Sequence, residues 1–255
     1  MGVTSKVIVI TGASGGIGAA VARRLGADGH RLVLGARRVA ELERVAAEAR
    51  SRGAPDARAV ATDVTRRDDV LRLRDAALDA FGGFDVWINN AGRGITRLVL
   101  DLTDADVDDM IAVNVKSALY GMQAAVPHFV ERGAGHLINV SSTLGRVPIS
   151  PFRSAYSAAK AALASLTTSL RLDLAERHPG VHVSLVLPGV VTTDFAQNVR
   201  GTPIAPVTGG VRAQTAEEVA EVFADLVAHP AAERYTNPRS VEAAREYYAQ
   251  LYGGE

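Results

Sequence analysis

The sequence predicts an α/β fold of the Rossmann type, a doubly wound parallel sheet with helices on both faces, in a single domain over 1–255. Short apolar, β-branched runs alternate with longer helical patterns along the chain. The runs are continuously apolar, as strands covered on both faces must be. A glycine-rich stretch, "TGASGGIG", stands between the first run and the first helix, where such folds turn toward a ligand.

The elements follow in order. "KVIVIT" leads into "IGAAVARRLGADG", "RLVLGA" into "VAELERVAAEARSRG", and "ARAVATDV" into "DDVLRLRDAALDAFG". "FDVWINNAG" precedes one long helical pattern over 103–133, "GHLINVSS" precedes an Ala-rich helix around "YSAAK", and "VHVSLVLPG" is the sixth strand. Residues 198–214, Gly/Pro-rich and without a period, read as part of a substrate loop or lid over about 194–214. After the helix "TAEEVAEVFADLVAHP" comes a faint seventh strand near Tyr235, then a last helix and tail.

Composition narrows the partners. With 255 residues, 47% of them hydrophobic, the chain can bury one large core. Its 28 basic and 28 acidic residues cancel, so no field draws it to nucleic acid or to an anionic membrane. Small molecules and copies of itself are the expected partners. The absence of cysteine removes disulfides, thiol nucleophiles and cysteine-bound zinc, and no metal is expected. The run "VIVI" is too short for a signal-peptide core, and a cytoplasmic location is expected.

Two local patterns suggest chemistry. Tyr156 and Lys160 are four apart in a helical run, hence on one face, where an ammonium would favour the phenolate and lower the phenol's pKa. Lys160 is one of only three lysines in an arginine-rich chain, so it is poor surface filler. The glycines Gly12, Gly16 and Gly18 suit a tight turn at a helix N-terminus, where free N–H groups meet a pyrophosphate. An NAD site would carry an acid at the end of the second strand; "LGARR" instead offers Arg37 and Arg38, which suits the 2′-phosphate of NADP(H). A rival lies in the same loop: Gly12-Ala13-Ser14-Gly15-Gly16 matches the nucleophile elbow of α/β-hydrolases and would make Ser14 a nucleophile. His178 and His182 lie downstream, but nothing marks either as its base, and Gly18 favours the cofactor.

In this order the chain resembles the short-chain dehydrogenase/reductase family: "TGASGGIG", "NNAG" at 89–92, Asn114 in "AVNVKSA", Ser142 in "INVSS", "YSAAK" and "PGVVTTD". The resemblance covers about residues 6–195. It implies NADPH-dependent, reversible reduction of a ketone or aldehyde to an alcohol, with Tyr156 as general acid, Lys160 tuning it and binding the nicotinamide ribose, and Ser142 holding the substrate oxygen. Asn114 would bind a water linking Lys160 to solvent, and Ser141 would merely end its strand. It further implies cofactor contacts from Gly12, Ser14, Gly16, Ile17 and Gly18, from Arg37 and Arg38, from Asp63 and Val64 at the adenine, and from Asn90, Ala91 and Gly92, with Asn89 close by. Pro188, Gly189, Val191 and Thr193 would complete the nicotinamide end, Thr193 in preference to Thr192. Arg93, Arg146 and Arg153 stand in segments expected to wall the substrate pocket, and a homodimer or homotetramer is implied, the dimer through helices at about 103–130 and 154–177. A dinucleotide-binding sensor without catalysis is the alternative outside enzymology.

Overall fold

A computed structural model describes residues 4–193, 195, 199–201 and 212–253. Seven strands form its main sheet: β1 (Val7–Thr11), β2 (Arg31–Ala36), β3 (Ala57–Ala61), β4 (Val86–Asn89), β5 (Gly135–Val140), β6 (Val181–Leu187) and β7 (Glu233–Tyr235). All neighbours are parallel, in the order β3-β2-β1-β4-β5-β6-β7. The predicted fold is therefore the observed one, and the faint seventh strand is real: Tyr235 stands opposite Leu187 at the sheet edge.

The run "VIVI" shows why the sheet is covered on both sides. Side chains alternate between faces along a strand. Ile8 and Ile10 enter a core with Leu32, Leu34 and Phe223, beneath α1 (Gly16–Ala27), α2 (Val39–Ser51) and α7 (Ala216–Ala228). Val7 and Val9 enter the other core with Val33, Trp87 and Leu137, beneath α3 (Arg67–Phe81), α5 (Ser117–Arg132) and α6 (Ser154–Ala175). Each such side chain contributes about 1.5–3 kcal/mol on burial. Left-handed Gly82 and Gly133 end α3 and α5.

One predicted helix is interrupted. Residues 103–133 hold α4 (Asp104–Ile111), a π turn (Ala112–Lys116) and then α5. Asn114 Nδ2 donates to the Met110 carbonyl at 3.2 Å, the acceptor that α-helical geometry would give to its own backbone N–H. α8 (Pro238–Leu251) closes the chain.

Because β1 sends the chain outward to β2 and β3 before β4 returns to its other side, the sheet changes direction between β1 and β4. The loops leaving these two strands diverge there and open a crevice at the carboxyl edge. Asn89 steadies the central sheet from inside the core: it accepts from Trp87 Nε1 at 2.8 Å and donates to Asn139 Oδ1 at 2.9 Å, and Asn139 donates to Thr167 Oγ1 at 2.9 Å. A buried amide requires such partners.

Candidate active site

At the end of β1, Gly12 has φ +69°, and a Cβ there would stand 2.8 Å from Ala91 Cα. Asn90 Nδ2 ties the loops together by donating to the carbonyls of Thr11 at 3.0 Å and Gly12 at 3.2 Å. Gly16, at φ +53°, opens α1 and sits against Thr193. The first N–H groups of α1 thus face the crevice, an arrangement suited to a pyrophosphate. Gly18 has another purpose: a Cβ there would lie 2.5 Å from both Asn90 Nδ2 and the Gly12 carbonyl, so this glycine lets α1 seat beneath the loop.

Beside this loop β2 ends at Ala36 without an acid. Arg38 turns back across the glycines, its Nε donating to Ser14 Oγ at 3.3 Å and its guanidinium 2.7 Å from where a Gly15 Cβ would be. Arg37 is exposed and acts electrostatically on Asp63. Burial pushes the Asp63 carboxyl up, but two hydrogen bonds from Thr65 and the charges of Arg37 and Arg66 outweigh it and hold it below the usual range.

Farther along the crevice, α6 delivers Tyr156 and Lys160 side by side, both buried, with Nζ 5.8 Å from the phenol ring centre. The expected electrostatics are reversed. Burial drives the Tyr156 phenol above its usual value, with Ser142 and Arg153 pulling weakly the other way. Burial also pushes Lys160 down to about 8, and its ammonium donates to the Val140 carbonyl at 2.8 Å. Ser142 leaves β5 and caps a short turn by accepting from Leu144 N at 3.2 Å. Ser141 Oγ instead donates to the Lys160 carbonyl at 2.8 Å, fixing the helix.

Asn114, in the π turn, accepts from Arg93 N at 3.2 Å and donates to Arg93 O at 3.0 Å. A Cβ on Gly92 would stand 2.9 Å from Asn114 Oδ1 and 3.3 Å from Lys160 Nζ, so the bare Gly92 backbone leaves room for both side chains to approach it. These groups border one cleft of about 680 Å³, lined by the site residues read from the sequence except Gly18 and Asn114. Pro188, Gly189, Val191, Thr193, Ile17 and Val64 are all on its lining.

The three arginines assigned to pocket walls diverge. Arg93 lines the cleft but is bound to both oxygens of Asp109 at 3.1 Å. Arg146 pairs with Glu233 away from the cleft, and Arg153 donates to the Ile95 carbonyl at 3.2 Å. Sequence reasoning missed Asp109 and Val113, which line the cleft; Phe195, Val199 and Arg200, from the segment read as the substrate loop, line it too, with Phe195 edge-on to Tyr156 at 5.8 Å between ring centres. Most of the 194–214 loop assignment lies outside the described residues, but Arg200–Gly201 pairs with Ile95–Thr96 and Gln214–Thr215 with Val191–Thr192. Among the described residues no histidine lines the cleft, so Ser14 has no histidine base there. No group of three metal-binding side chains occurs among the described residues, and no helix there is long and apolar enough to cross a membrane.

Comparison with known proteins agrees with this geometry. A family profile described as "short chain dehydrogenase" matches residues 6–203. An uncharacterized oxidoreductase of Staphylococcus aureus is 38% identical over 190 residues, 74% of this chain and 80% of that protein. A short-chain dehydrogenase/reductase from Burkholderia phymatum, solved with NAD, is 29% identical with a TM-score of 0.88, covering 99% of this chain and 96% of that one. An alcohol dehydrogenase from the archaeon Thermococcus sibiricus, solved with 5-hydroxy-NADP, is 30% identical with a TM-score of 0.79, covering 91% and 96%.

Proposed function

The chain belongs to the short-chain dehydrogenase/reductase family of oxidoreductases, and from that premise we propose that it reduces a ketone or aldehyde to the alcohol, reversibly, with NADPH. The observation that carries the reading is the convergence of Ser142, Tyr156 and Lys160 on one cleft that continues to the glycine loop and Arg38. When bound, the nicotinamide cofactor supplies the hydride. The glycine loop and the α1 N-terminus border the cleft where its pyrophosphate would lie, through Gly12, Ser14, Gly15, Gly16 and Ile17. Arg38 and Arg37 favour a 2′-phosphate, and Ala36 offers nothing to hold a free 2′-hydroxyl.

Toward the substrate, Ser142 and Tyr156 present two hydroxyls from which one carbonyl oxygen can accept. Tyr156, kept protonated by burial, donates its proton to that oxygen as the carbon gains hydride. Lys160 then faces a phenolate and compensates its charge, and Asn114, fixed by both backbone groups of Arg93, holds the route by which the proton returns. For an uncharged phenol, burial is an aid rather than a cost.

A panel of carbonyls and alcohols, read by absorbance of the reduced nicotinamide, tests the reaction. With the best substrate, Tyr156→Phe should reduce turnover at least about a hundredfold, in line with general-acid contributions, while NADPH affinity stays nearly unchanged. Retention of most of the rate would remove Tyr156 as the acid.

A further inference from the structure

We propose that Arg200 is a positioning residue, clasping the segment that follows β6 against α4 through Asp106 and Asp109 and so holding the cleft wall over Tyr156. This rests on the reading of Tyr156 as the reacting acid, although the clasp itself is a matter of geometry.

Arg200 is bound by main chain and side chain at once. Its N–H donates to the Gly94 carbonyl at 3.0 Å, and its side chain reaches Asp106 Oδ1 at 3.2 Å, Asp109 Oδ2 at 3.7 Å and the Ala105 carbonyl at 3.1 Å. The two carboxylates are held in place beforehand. Asp106, only 2% exposed, completes the capping box with Thr103 that starts α4 and is ion-paired with Arg97, whose Nε lies 2.9 Å away. Asp109 is gripped by Arg93. α4 therefore offers a rigid acidic ledge, and Arg200, half exposed, is the detachable partner.

What the clasp holds is next to the chemistry. A Cβ on Gly94 would stand 3.0 Å from both Phe195 and Val199, so this segment lies directly on the Gly94 backbone. Phe195 meets the Tyr156 ring, and Phe195, Val199 and Arg200 all line the cleft. Releasing Arg200 would free the apolar wall, while among the described residues Arg200 makes no hydrogen bond or ion pair with Ser142, Lys160 or the glycine turn.

Chymotryptic cleavage after Phe195 reads the position of the wall without requiring activity. Arg200→Met should speed cleavage roughly fivefold and Arg200→Lys by less, the scale expected for partly exposed ion pairs. High salt should accelerate cleavage of the wild type but not of Arg200→Met, because screening acts only where the pairs exist. Asp109→Asn approaches from α4: it should speed cleavage in wild type and by less in the Arg200→Met background. Equal cleavage of wild type and Arg200→Met, an equal salt response, or additive effects would overturn the clasp. In turnover, Arg200→Met should raise the carbonyl KM roughly fivefold, leave kcat within about twofold and leave NADPH affinity unchanged, with Arg200→Lys partly restoring KM. A fall in kcat with KM unmoved would also overturn it. If the wild type reduced no carbonyl, the proposed reaction would fail, and the cleavage data would still decide the clasp.

Discussion

Lys160 shows how much a residue's position and its electrostatics can differ in legibility. Its four-residue spacing from Tyr156 placed both side chains on the cleft side of α6, as read from the sequence. The phenol was expected to be lowered by the ammonium; it is raised, because burial dominates and the ammonium is directed to Val140 O. Burial comes from the surrounding fold, and no local spacing encodes it. Lys160 falls from 10.5 to about 8, a cost of roughly 3 kcal/mol to the folded, protonated state. Between those values the unfolded chain binds the proton more tightly, so stability rises with pH across the window, and below it the cost is present in full. Lys160→Met should therefore stabilise the ligand-free protein by about 1–3 kcal/mol near pH 7, after about 1 kcal/mol for the lost bond to Val140. The gain should vanish near pH 10.5; urea denaturation at both pH values checks it, and a variant less stable at neutral pH would contradict the burial account. Arg38 is the second case. The sequence offered Arg37 and Arg38 together, and Arg38 is the one folded over Ser14 and Gly15. Arg38→Ala combined with Ala36→Asp should move cofactor preference toward NADH by about two decades in affinity ratio, as read by nicotinamide fluorescence titration of both cofactors; an unmoved ratio would take Arg38 out of the site.

At the level of elements, strands were legible as short continuous apolar runs and helices wherever a period of 3.6 runs unbroken. The π turn was not, because its cause is a side chain: Asn114 takes the carbonyl of Met110 and both backbone groups of Arg93, a partner 21 residues away. The facing pair β5 and β6 carries another concealed interaction. His136 is 4% exposed, and its Nε2 lies 2.7 Å from Ser184 Oγ, which donates onward to the Ala231 carbonyl. Burial, aided by His182, pushes this imidazole from 6.5 down to about 3. Its stabilisation is thus complete above pH 6.5 and lost progressively as pH falls toward about 3, since the unfolded chain takes the proton first. The loss amounts to about 3–5 kcal/mol across that range. His136→Leu keeps the strand apolar and leaves Ser184 its Ala231 acceptor, so it should flatten the acid limb of a stability–pH curve measured by urea unfolding. An unchanged slope would mean that His136 is charged in the folded protein.

For the whole molecule, the sheet order decides where chemistry can occur; the alternation of strand and helix was enough to read a doubly wound parallel sheet, and the order itself comes from the structure. The cofactor side of the cleft was legible because its residues follow strands and come in short motifs. The opposite wall was legible only as the loop that carries Phe195 and Arg200; Asp109 and Val113 were not, because α4 and the π turn meet that segment through contacts distant in sequence. Assembly belongs to this scale too. Large apolar side chains remain exposed on helices that cover the same core: Val107 and Ile111 on α4, Leu166 and Leu172 on α6, the last at 69%. Exposed apolar side chains on a protein that otherwise has a balanced charge are what an interface between copies would use. A symmetric dimer through these helices would cover it, each patch meeting its own copy, and about 25 cal/mol per Å² of apolar area would drive the pairing. Sedimentation velocity should find a dimer at micromolar concentration for the wild type and a monomer for Leu172→Glu, because two like charges would then be buried opposite an apolar surface at about 1–3 kcal/mol or more each. A wild-type monomer, or a dimer indifferent to Leu172→Glu, would place the interface elsewhere and leave α6 free to face solvent.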